Sequence, residues 1–188
     1  MANFTTQILK ARKETINLGK SDVAKFKAFS DGSGLNGGIG AATILYPKNR
    51  NMPITHLKKF IDSQKKYNTY EAEIVGAILA LWSIRNCPET VGKSVSLYID
   101  NQAVISSIGS PDTKPGQYLL RQLNTLANNL ACNLGIHWIS SHSKVRGNEK
   151  VDELVKEATL GKSSATNRLP HILRTLLPTS TSAIKQQF

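Results

Sequence analysis

The sequence predicts a mixed α/β fold in which a five-stranded sheet carries helices on both faces. Three strand patterns come first and are joined by hairpins, which predicts antiparallel pairing. Helix and strand patterns then alternate, which is typical of parallel strands joined by crossover helices. The apolar fraction of 40% in 188 residues is enough for one core, so we expect one domain with short appendages.

The antiparallel part is predicted from the first third of the chain. A strand pattern over residues 25–30 ends at Asp31. Asn36-Gly37 follows, and this dipeptide indicates a hairpin because both turn positions can adopt a positive φ. Residues 39–46, rich in small and branched side chains, form the second strand pattern, and residues 56–67 form a third, less regular one.

The alternating part begins with a buried helix over residues 70–85, where apolar side chains recur at helical spacing. Thr69 is its expected N-cap, and Pro88 stops it. Residues 94–99 form a short apolar strand of the type that lies in the centre of a sheet. The elements expected after it are a short helix over 102–108, a helix over 116–132, a strand over 135–139 and a helix over 148–160.

The two ends of the chain differ from this central pattern. We expect residues 1–24 to be a basic arm, in which Phe4 and Ile8 begin a short amphipathic helix. Residues 25–161 form the expected domain. Residues 162–188 are rich in Ser and Thr and carry no acid, so we expect a basic, flexible tail there.

The charge favours a polyanionic partner. The formal net charge is +11, and a basic chain gains affinity for nucleic acid through phosphate contacts and counterion release. A solvated basic surface without a specific partner is the alternative interpretation of the same charge.

Other features exclude several classes of protein. Cys87 and Cys132 show no CxxC spacing, so neither a zinc site nor a redox motif is indicated, and two free thiols fit a reducing compartment. The longest apolar run, residues 74–82, is shorter than the ~20 residues that cross a bilayer. We therefore expect an intracellular protein with no membrane partner, in either the nucleus or the cytoplasm.

Four carboxylates, Asp31, Glu73, Asp100 and Asp152, lie in four separate segments. Asp31 and Asp100 each end a predicted strand, so neighbouring strands would place them side by side. Glu73 and Asp152 lie near the starts of helices, where acids also occur simply because they complement the helix dipole. Carboxylate oxygens are hard ligands suited to magnesium or manganese. If the four converge, the sequence indicates a metal-dependent enzyme that cleaves phosphodiester bonds.

The order of these motifs resembles the ribonuclease H type 1 family across residues 25–160. The His-to-Asp interval of the last motif is the most specific feature. The tail segment 169–174 adds a similarity to the ribonuclease H domain of a non-LTR retrotransposon polyprotein. The matching pieces are Asp31-Gly32-Ser33, then Ala72-Glu73-Ile74 leading into residues 77–81, then Ile99-Asp100-Asn101-Gln102, then Ser141-His142, then residues 147–154.

The resemblance implies a ribonuclease H-like fold and an RNA–DNA hybrid ribonuclease. It implies that Asp31, Glu73, Asp100 and Asp152 ligate two Mg²⁺ ions, for which Mn²⁺ is a possible substitute. His142 would assist proton transfer or product release, as in the family. The expected reaction hydrolyses the RNA strand of the hybrid and leaves a 5′-phosphate.

The hybrid substrate requires groups that read the ribose 2′-hydroxyl across the minor groove. Ser33, Asn101, Gln102 and Asn148 are the candidate contacts, with turn or capping roles as the alternative. Many cellular members insert a basic helix after the third acid, whereas only residues 109–115 separate the two helices here. Affinity would then come from other lysines and arginines, or from a reverse transcriptase domain normally fused upstream.

Two rival functions stay open on the sequence. A retroelement-derived chain could keep the fold and bind hybrids or duplex RNA with weak or no catalysis. A polynucleotidyl transferase of the same fold is the other rival. The complete set of four acids argues against the first, and the pairing of Glu73 with His142 argues against the second.

Overall fold

The computed structural model of the chain describes residues 4–8, 14, 17, 21–109, 116–141 and 144–179. Within these residues, six strands form one sheet: β1 Phe4–Gln7, β2 Phe26–Leu35, β3 Gly38–Pro47, β4 Thr55–Ser63, β5 Ser94–Ile99 and β6 Asn133–Trp138. The helices are α1 Thr69–Arg85, α2 Gln102–Ser107, α3 Gln117–Asn128 and α4 Arg146–Thr159. Single 3₁₀ turns cover Pro88–Thr90, Thr166–Arg168 and His171–Leu173.

The sheet confirms the predicted fold class and adds one strand to it. Its order is β1-β6-β5-β2-β3-β4, with antiparallel pairing between β2, β3 and β4 and parallel pairing elsewhere. The additional strand is β1, which pairs with β6 from Phe4↔Leu134 to Gln7↔His137. The expected helix at Phe4 is therefore wrong. A four-residue edge strand with three exposed side chains carries no alternating pattern from which it could be predicted.

Several element boundaries also differ from the prediction: β4 ends at Ser63 and not at residue 67, and α3 ends at Asn128 and not at residue 132. β2 continues through Asp31 to Leu35 because β3 pairs with it along its full length. The N-cap of α1 is Asn68 and not Thr69: the Asn68 side chain accepts from the Glu71 backbone N–H, and the Glu71 carboxylate accepts from the Asn68 N–H. This reciprocal capping box fixes the start of α1.

The core lies on both faces of the sheet. α1 is buried along almost its whole length against β2 and β3 and also packs against α3. α4 covers the opposite face, where Val151 and Val155 pack on an aromatic pair from β2 and β5. In that pair, Phe29 and Tyr98 stack with ring centroids 5.1 Å apart. No helix in the described part of the chain is long and apolar enough to cross a membrane.

The segment after α4 packs on the α1 face and is not a flexible tail as far as residue 179. Leu169, Leu173 and Leu177 are buried in the main core. The Trp82 indole donates to the Arg168 carbonyl at 2.9 Å, and the Tyr67 hydroxyl donates to the carbonyl of Leu177. The three leucines recur every four residues, but Pro170 and Pro178 interrupt the segment and only 3₁₀ turns form in its described part, so the sequence was interpreted as a tail and not as a packed element. Residues 180–188 of the predicted tail lie outside the described residues.

Candidate active site

Parallel pairing of β2 with β5 brings the first two carboxylates together. The register pairs Ser30 with Ile99, so the next residue of each strand, Asp31 and Asp100, lies at the same level of the sheet. The two apolar strand patterns that led to these acids therefore predicted their proximity correctly.

Glu73 reaches the same place because α1 packs directly against the backbone of β2. A Cβ atom on Gly32 would lie 2.2 Å from the Glu73 nitrogen, and one on Gly76 would lie 2.7 Å from the Asp31 carbonyl oxygen. Only glycine permits this approach of helix to strand. As a result, one carboxylate oxygen from each of Asp31, Glu73 and Asp100 lies within 4.8 Å of the others.

Asp152 enters from the opposite face of the sheet on α4. The start of this helix lies close to β2 because Gly147 sits over the Phe29 ring, where a Cβ atom would approach the ring to 2.2 Å. Asp152 lines the same cavity as the other three acids. Its Oδ2 atom accepts from Lys156 Nζ at 2.6 Å, which is an i, i+4 ion pair on α4.

The four acids line one open cavity of about 210 Å³. Of the predicted substrate contacts, Ser33 and Asn148 also line it, and Asn148 is buried. Asn101 is not part of the lining, because its side-chain oxygen caps α2 by accepting from the Ala103 and Val104 N–H groups. Gln102 is exposed and also lies outside the lining.

The predicted proton-transfer residue, His142, lies outside the described residues. Its sequence neighbour Ser141 lines the cavity and donates through Oγ to Asp100 Oδ2 at 3.0 Å. The Trp138 indole donates to the Asp100 carbonyl at 2.9 Å. The two hydrogen bonds connect Asp100 to the end of β6 and to Ser141. The residue that precedes His142 in the sequence therefore lies beside the carboxylates.

Burial and mutual repulsion shift the acids toward their protonated forms. Burial, followed by the charges of Asp100 and Asp152, raises the pKa of Asp31 from 3.8 to about 7. Burial, followed by the charges of Asp100 and Asp31, raises the pKa of Glu73 well above its usual value. Crowded carboxylates of this kind are unfavourable without a compensating cation.

The donor set fits divalent metal ions. Glu73 Oε2 and Asp100 Oδ1 are buried and have no hydrogen-bond donor among the described residues. A buried acceptor without a partner is costly, and a cation between the carboxylates would satisfy both oxygens. Ligands that are all oxygen favour magnesium or manganese over zinc or copper.

The sequence interpretation missed three features of the cavity. Ser141 was noted only as part of a motif, and its bond to Asp100 is a tertiary contact without a sequence signature. Glu149 was not among the candidate acids; it lines the cavity, and its Oε1 accepts from the Lys144 N–H at 3.2 Å. The sequence showed that Gly32 follows an aspartate, but it did not indicate that this glycine packs against α1.

Comparisons with known proteins agree with this geometry. Residues 24–160 match the family model described as RNase H. No curated protein matches the chain. Similar folds occur in the N-terminal RNase H domain of Rv2228c from Mycobacterium tuberculosis, solved as a fusion with maltose-binding protein, and in RNase H1 from the halophilic archaeon Halobacterium salinarum.

These structures share the fold of this chain at low sequence identity. The mycobacterial domain is 18% identical, with a TM-score of 0.60, covering 73% of this chain and 95% of that one. The archaeal enzyme is 20% identical, with a TM-score of 0.56 and coverage of 73% and 98%. LC11-RNase H1, solved in complex with an RNA/DNA hybrid, is 15% identical, with a TM-score of 0.57 and coverage of 71% and 99%. With its family model matched over most of its length and its acids gathered where β5 ends beside β2, the chain belongs to the RNase H family.

Proposed function

We propose that the protein hydrolyses the RNA strand of RNA–DNA hybrids with two magnesium ions. The observation that carries this proposal is the convergence of Asp31, Glu73 and Asp100 within 4.8 Å, with Asp152 on the same cavity. The two buried carboxylate oxygens without donors support a site built for cations.

We infer that the acids would divide between two ion positions. Asp31, Glu73 and Asp100 would hold one ion, and Asp152 would share the second with Asp31, whose pKa responds to both Asp100 and Asp152. The chemistry that two bound ions supply is activation of the attacking water and stabilisation of the leaving oxygen. The chain itself then needs no strong base, and its acids serve to position the reacting groups.

A hybrid substrate is favoured by the lining of the cavity and by one structural neighbour. Ser33 and Asn148 present short polar groups beside the carboxylates, where they would read ribose hydroxyls. LC11-RNase H1 was solved with an RNA/DNA hybrid. The net charge of +11 supplies the attraction to phosphate.

His142 remains our candidate for proton transfer at the leaving group, since Ser141, the residue before it in the sequence, donates to Asp100. A near-neutral pKa suits that task. We further propose that the chain derives from a retroelement polyprotein, in which a reverse transcriptase domain upstream contributes to hybrid binding. The motif order and the segment at residues 169–174 support this origin.

One observation favours a second candidate, a hybrid-binding module with weak catalysis. The Asp152 carboxylate is engaged by Lys156 at 2.6 Å and stands outside the close group of three acids. A chain in which Lys156 permanently replaced the second ion would bind hybrids and cut them poorly.

The test is cleavage of an end-labelled RNA–DNA hybrid by the purified chain, with magnesium and with a chelator. We expect magnesium-dependent cutting of the RNA strand alone, with duplex DNA left intact. Asp100→Asn should abolish cutting while preserving the fold, and Asp62→Asn, at an acid outside the cavity that is paired with Lys66, should not. Hybrid binding without cutting supports the second candidate, and cleavage of duplex DNA supports a polynucleotidyl transferase.

A further inference from the structure

A second cavity, of about 360 Å³, lies on the α4 face of the sheet and shares no lining residue with the carboxylate cavity. We call it the cationic pocket. Four of its lining residues are basic, and two aromatic residues, Phe29 and Tyr46, are part of the same wall. The basic residues are Lys27, Lys48, Arg50 and Arg146.

The positive charge of this pocket is only partly neutralised by the chain. Within the described residues, the guanidinium groups of Arg50 and Arg146 make no hydrogen bond or ion pair. The acid that interacts with Lys27 is Asp22, but its carboxylate also accepts from the Tyr98 hydroxyl at 2.7 Å and from the Ala24 N–H at 2.8 Å. Four basic residues and no acid line this pocket. The acids that act on its lining residues have other partners: Asp22 accepts from two donors, and Glu153, which acts on Tyr46, is paired with Lys150. Lys48 Nζ donates only to the carbonyl of Val23, at 3.4 Å, among the described residues.

The pocket wall also suits a flat or apolar ligand surface. The Tyr46 ring is half-buried and meets Phe29 edge-on, with centroids 6.5 Å apart. Proteins that bind nucleic acid strands often combine cationic groups with an aromatic ring. The cationic groups contact the phosphates, and the aromatic ring packs against the sugar or the base. Arginine adds a planar, bidentate match to phosphate oxygens.

The pocket is aligned with the carboxylate cavity along two elements. On β2, side chains alternate between faces, so Lys27, Phe29 and Asp31 point to the same side, and the first two line the pocket. Lys27 and Asp31 are about 13 Å apart along the strand. On α4, Gly147 lines the pocket and the next residue, Asn148, lines the carboxylate cavity.

We propose that the cationic pocket binds a backbone phosphate of the nucleic acid whose scissile bond lies in the carboxylate cavity. A separation of about 13 Å corresponds to a few nucleotides, since a duplex strand advances about 3.4 Å per phosphate along the helix axis. The inference rests on the proposed function, because it assumes the same substrate, but binding can be measured without cleavage. In this protein the pocket would take over part of the binding for which other members insert a basic helix.

The test uses the full chain carrying Asp100→Asn, so that hybrid binding is measured without cutting. Fluorescence anisotropy with a labelled RNA–DNA hybrid gives the dissociation constant over a range of salt concentrations. The pocket variant is Arg50→Ala with Arg146→Ala. The matched control, Arg85→Ala with Arg121→Ala, removes the same charge from α1 and α3 on the other face of the sheet.

We expect the pocket variant to bind about tenfold more weakly, with a salt slope reduced by about 0.9 for each lost phosphate contact. The control should change both quantities much less, and Arg50→Lys with Arg146→Lys should restore most of the affinity. Equal losses in the pocket variant and the control would overturn the proposal, whether or not the wild-type chain cleaves hybrids.

Single neutral methylphosphonates, placed in turn along each strand, then locate the contact. A methylphosphonate at one position should weaken binding to the Asp100→Asn chain. The same substitution should have little further effect on the pocket variant, because the contact between the phosphate and the pocket is already lost there. That position also identifies the strand as RNA or DNA. If every position has the same effect on both chains, the pocket does not bind a particular phosphate. Thermal unfolding of each variant verifies that the fold is retained.

Discussion

Gly32 of β2 and Glu73 of α1 are in backbone contact: a Cβ atom on Gly32 would lie 2.2 Å from the Glu73 nitrogen. This contact sets the separation of strand and helix, and with it the distance between the Asp31 and Glu73 carboxylates. The Asp-Gly pair therefore has two functions. The aspartate supplies a ligand, and the glycine allows a second ligand to approach it.

Gly32→Ala should weaken the site and the fold together. The added methyl group meets backbone atoms of Ala72 and Glu73, which have no side-chain freedom to move aside. We expect a loss of about 3 kcal/mol in the free energy of unfolding and a large loss of magnesium affinity, measured by denaturant titration and calorimetry. Gly37→Asn is the control, because this hairpin glycine has φ +83° with open space around it, and asparagine tolerates that conformation. Equal effects of the two substitutions would contradict the packing role of Gly32.

The metal-free protein should become less stable as the pH rises from about 4 to about 7. The folded chain keeps protons on Asp31, whose pKa is raised from 3.8 to about 7, and on Glu73, whose pKa is also raised. The unfolded chain releases these protons at lower pH, so it binds fewer of them across this window, and the free energy of unfolding falls with rising pH. Above the folded-state pKa the penalty is constant.

The measurement is urea unfolding in chelator at pH 5 and pH 8, with Asp31→Asn beside the wild type. We expect Asp31→Asn to stabilise the chain by about 2 kcal/mol at pH 8 and to flatten its pH dependence, while Glu153→Gln at an exposed acid leaves the slope unchanged. Saturating magnesium should reduce the pH dependence of the wild-type free energy of unfolding in the same way, because the cation compensates the negative charge of the carboxylates. A wild-type stability that rises over this window would show that repulsion among the acids is not dominant.

Lys156 should compete with a metal ion for Asp152. Its Nζ lies 2.6 Å from Asp152 Oδ2, so a cation must displace it to use that oxygen. We expect Lys156→Gln to tighten magnesium binding by about two- to fivefold, as the loss of one exposed ion pair allows. Lys150→Gln is the matched control, because it removes a charge from the same helix. The ion pair that it breaks is with Glu153, which does not line the cavity. The competition is ruled out if calorimetry gives the two variants the same affinity.

The sequence predicted the chemistry of the site better than its surroundings. Asp31 and Asp100 each follow an apolar strand pattern, and parallel neighbours must align such residues, so their proximity followed from the pattern. Glu73 was identified by the resemblance, and the capping box shows that the nearby Glu71 has a different role, at the start of α1. The i, i+4 pair of Asp152 and Lys156 was readable from spacing alone but was not considered.

The remaining differences arise from contacts without a local signal. β1 is held by pairing with β6, about 130 residues later in the chain. Ser141 is placed by the fold and donates to Asp100. The leucines after α4 become buried because α1 offers them an apolar face, although the described part of their own segment contains two prolines and forms no α-helix. Local sequence patterns do not predict these contacts, because in each case the stabilising partner is distant in the sequence.

The segment after α4 should contribute to stability through its buried leucines. Leu173 is completely buried in the main core, whereas Leu176, three residues later, is 82% exposed. Leu173→Ala should therefore lower the free energy of unfolding by about 2–4 kcal/mol, through lost burial and the cavity left behind. Leu176→Ala should change it by less than about 0.5 kcal/mol. Denaturant midpoints of the two variants make the comparison, and similar small changes in both would mean that this segment does not pack on α1 in solution. If Leu173→Ala is destabilising, then deleting residues 162–188 will reduce both the stability and the positive charge of the chain. A loss of hybrid affinity in the truncated chain must therefore be compared with the affinity of Leu173→Ala. Only the part of the loss that Leu173→Ala does not show can be assigned to phosphate contacts.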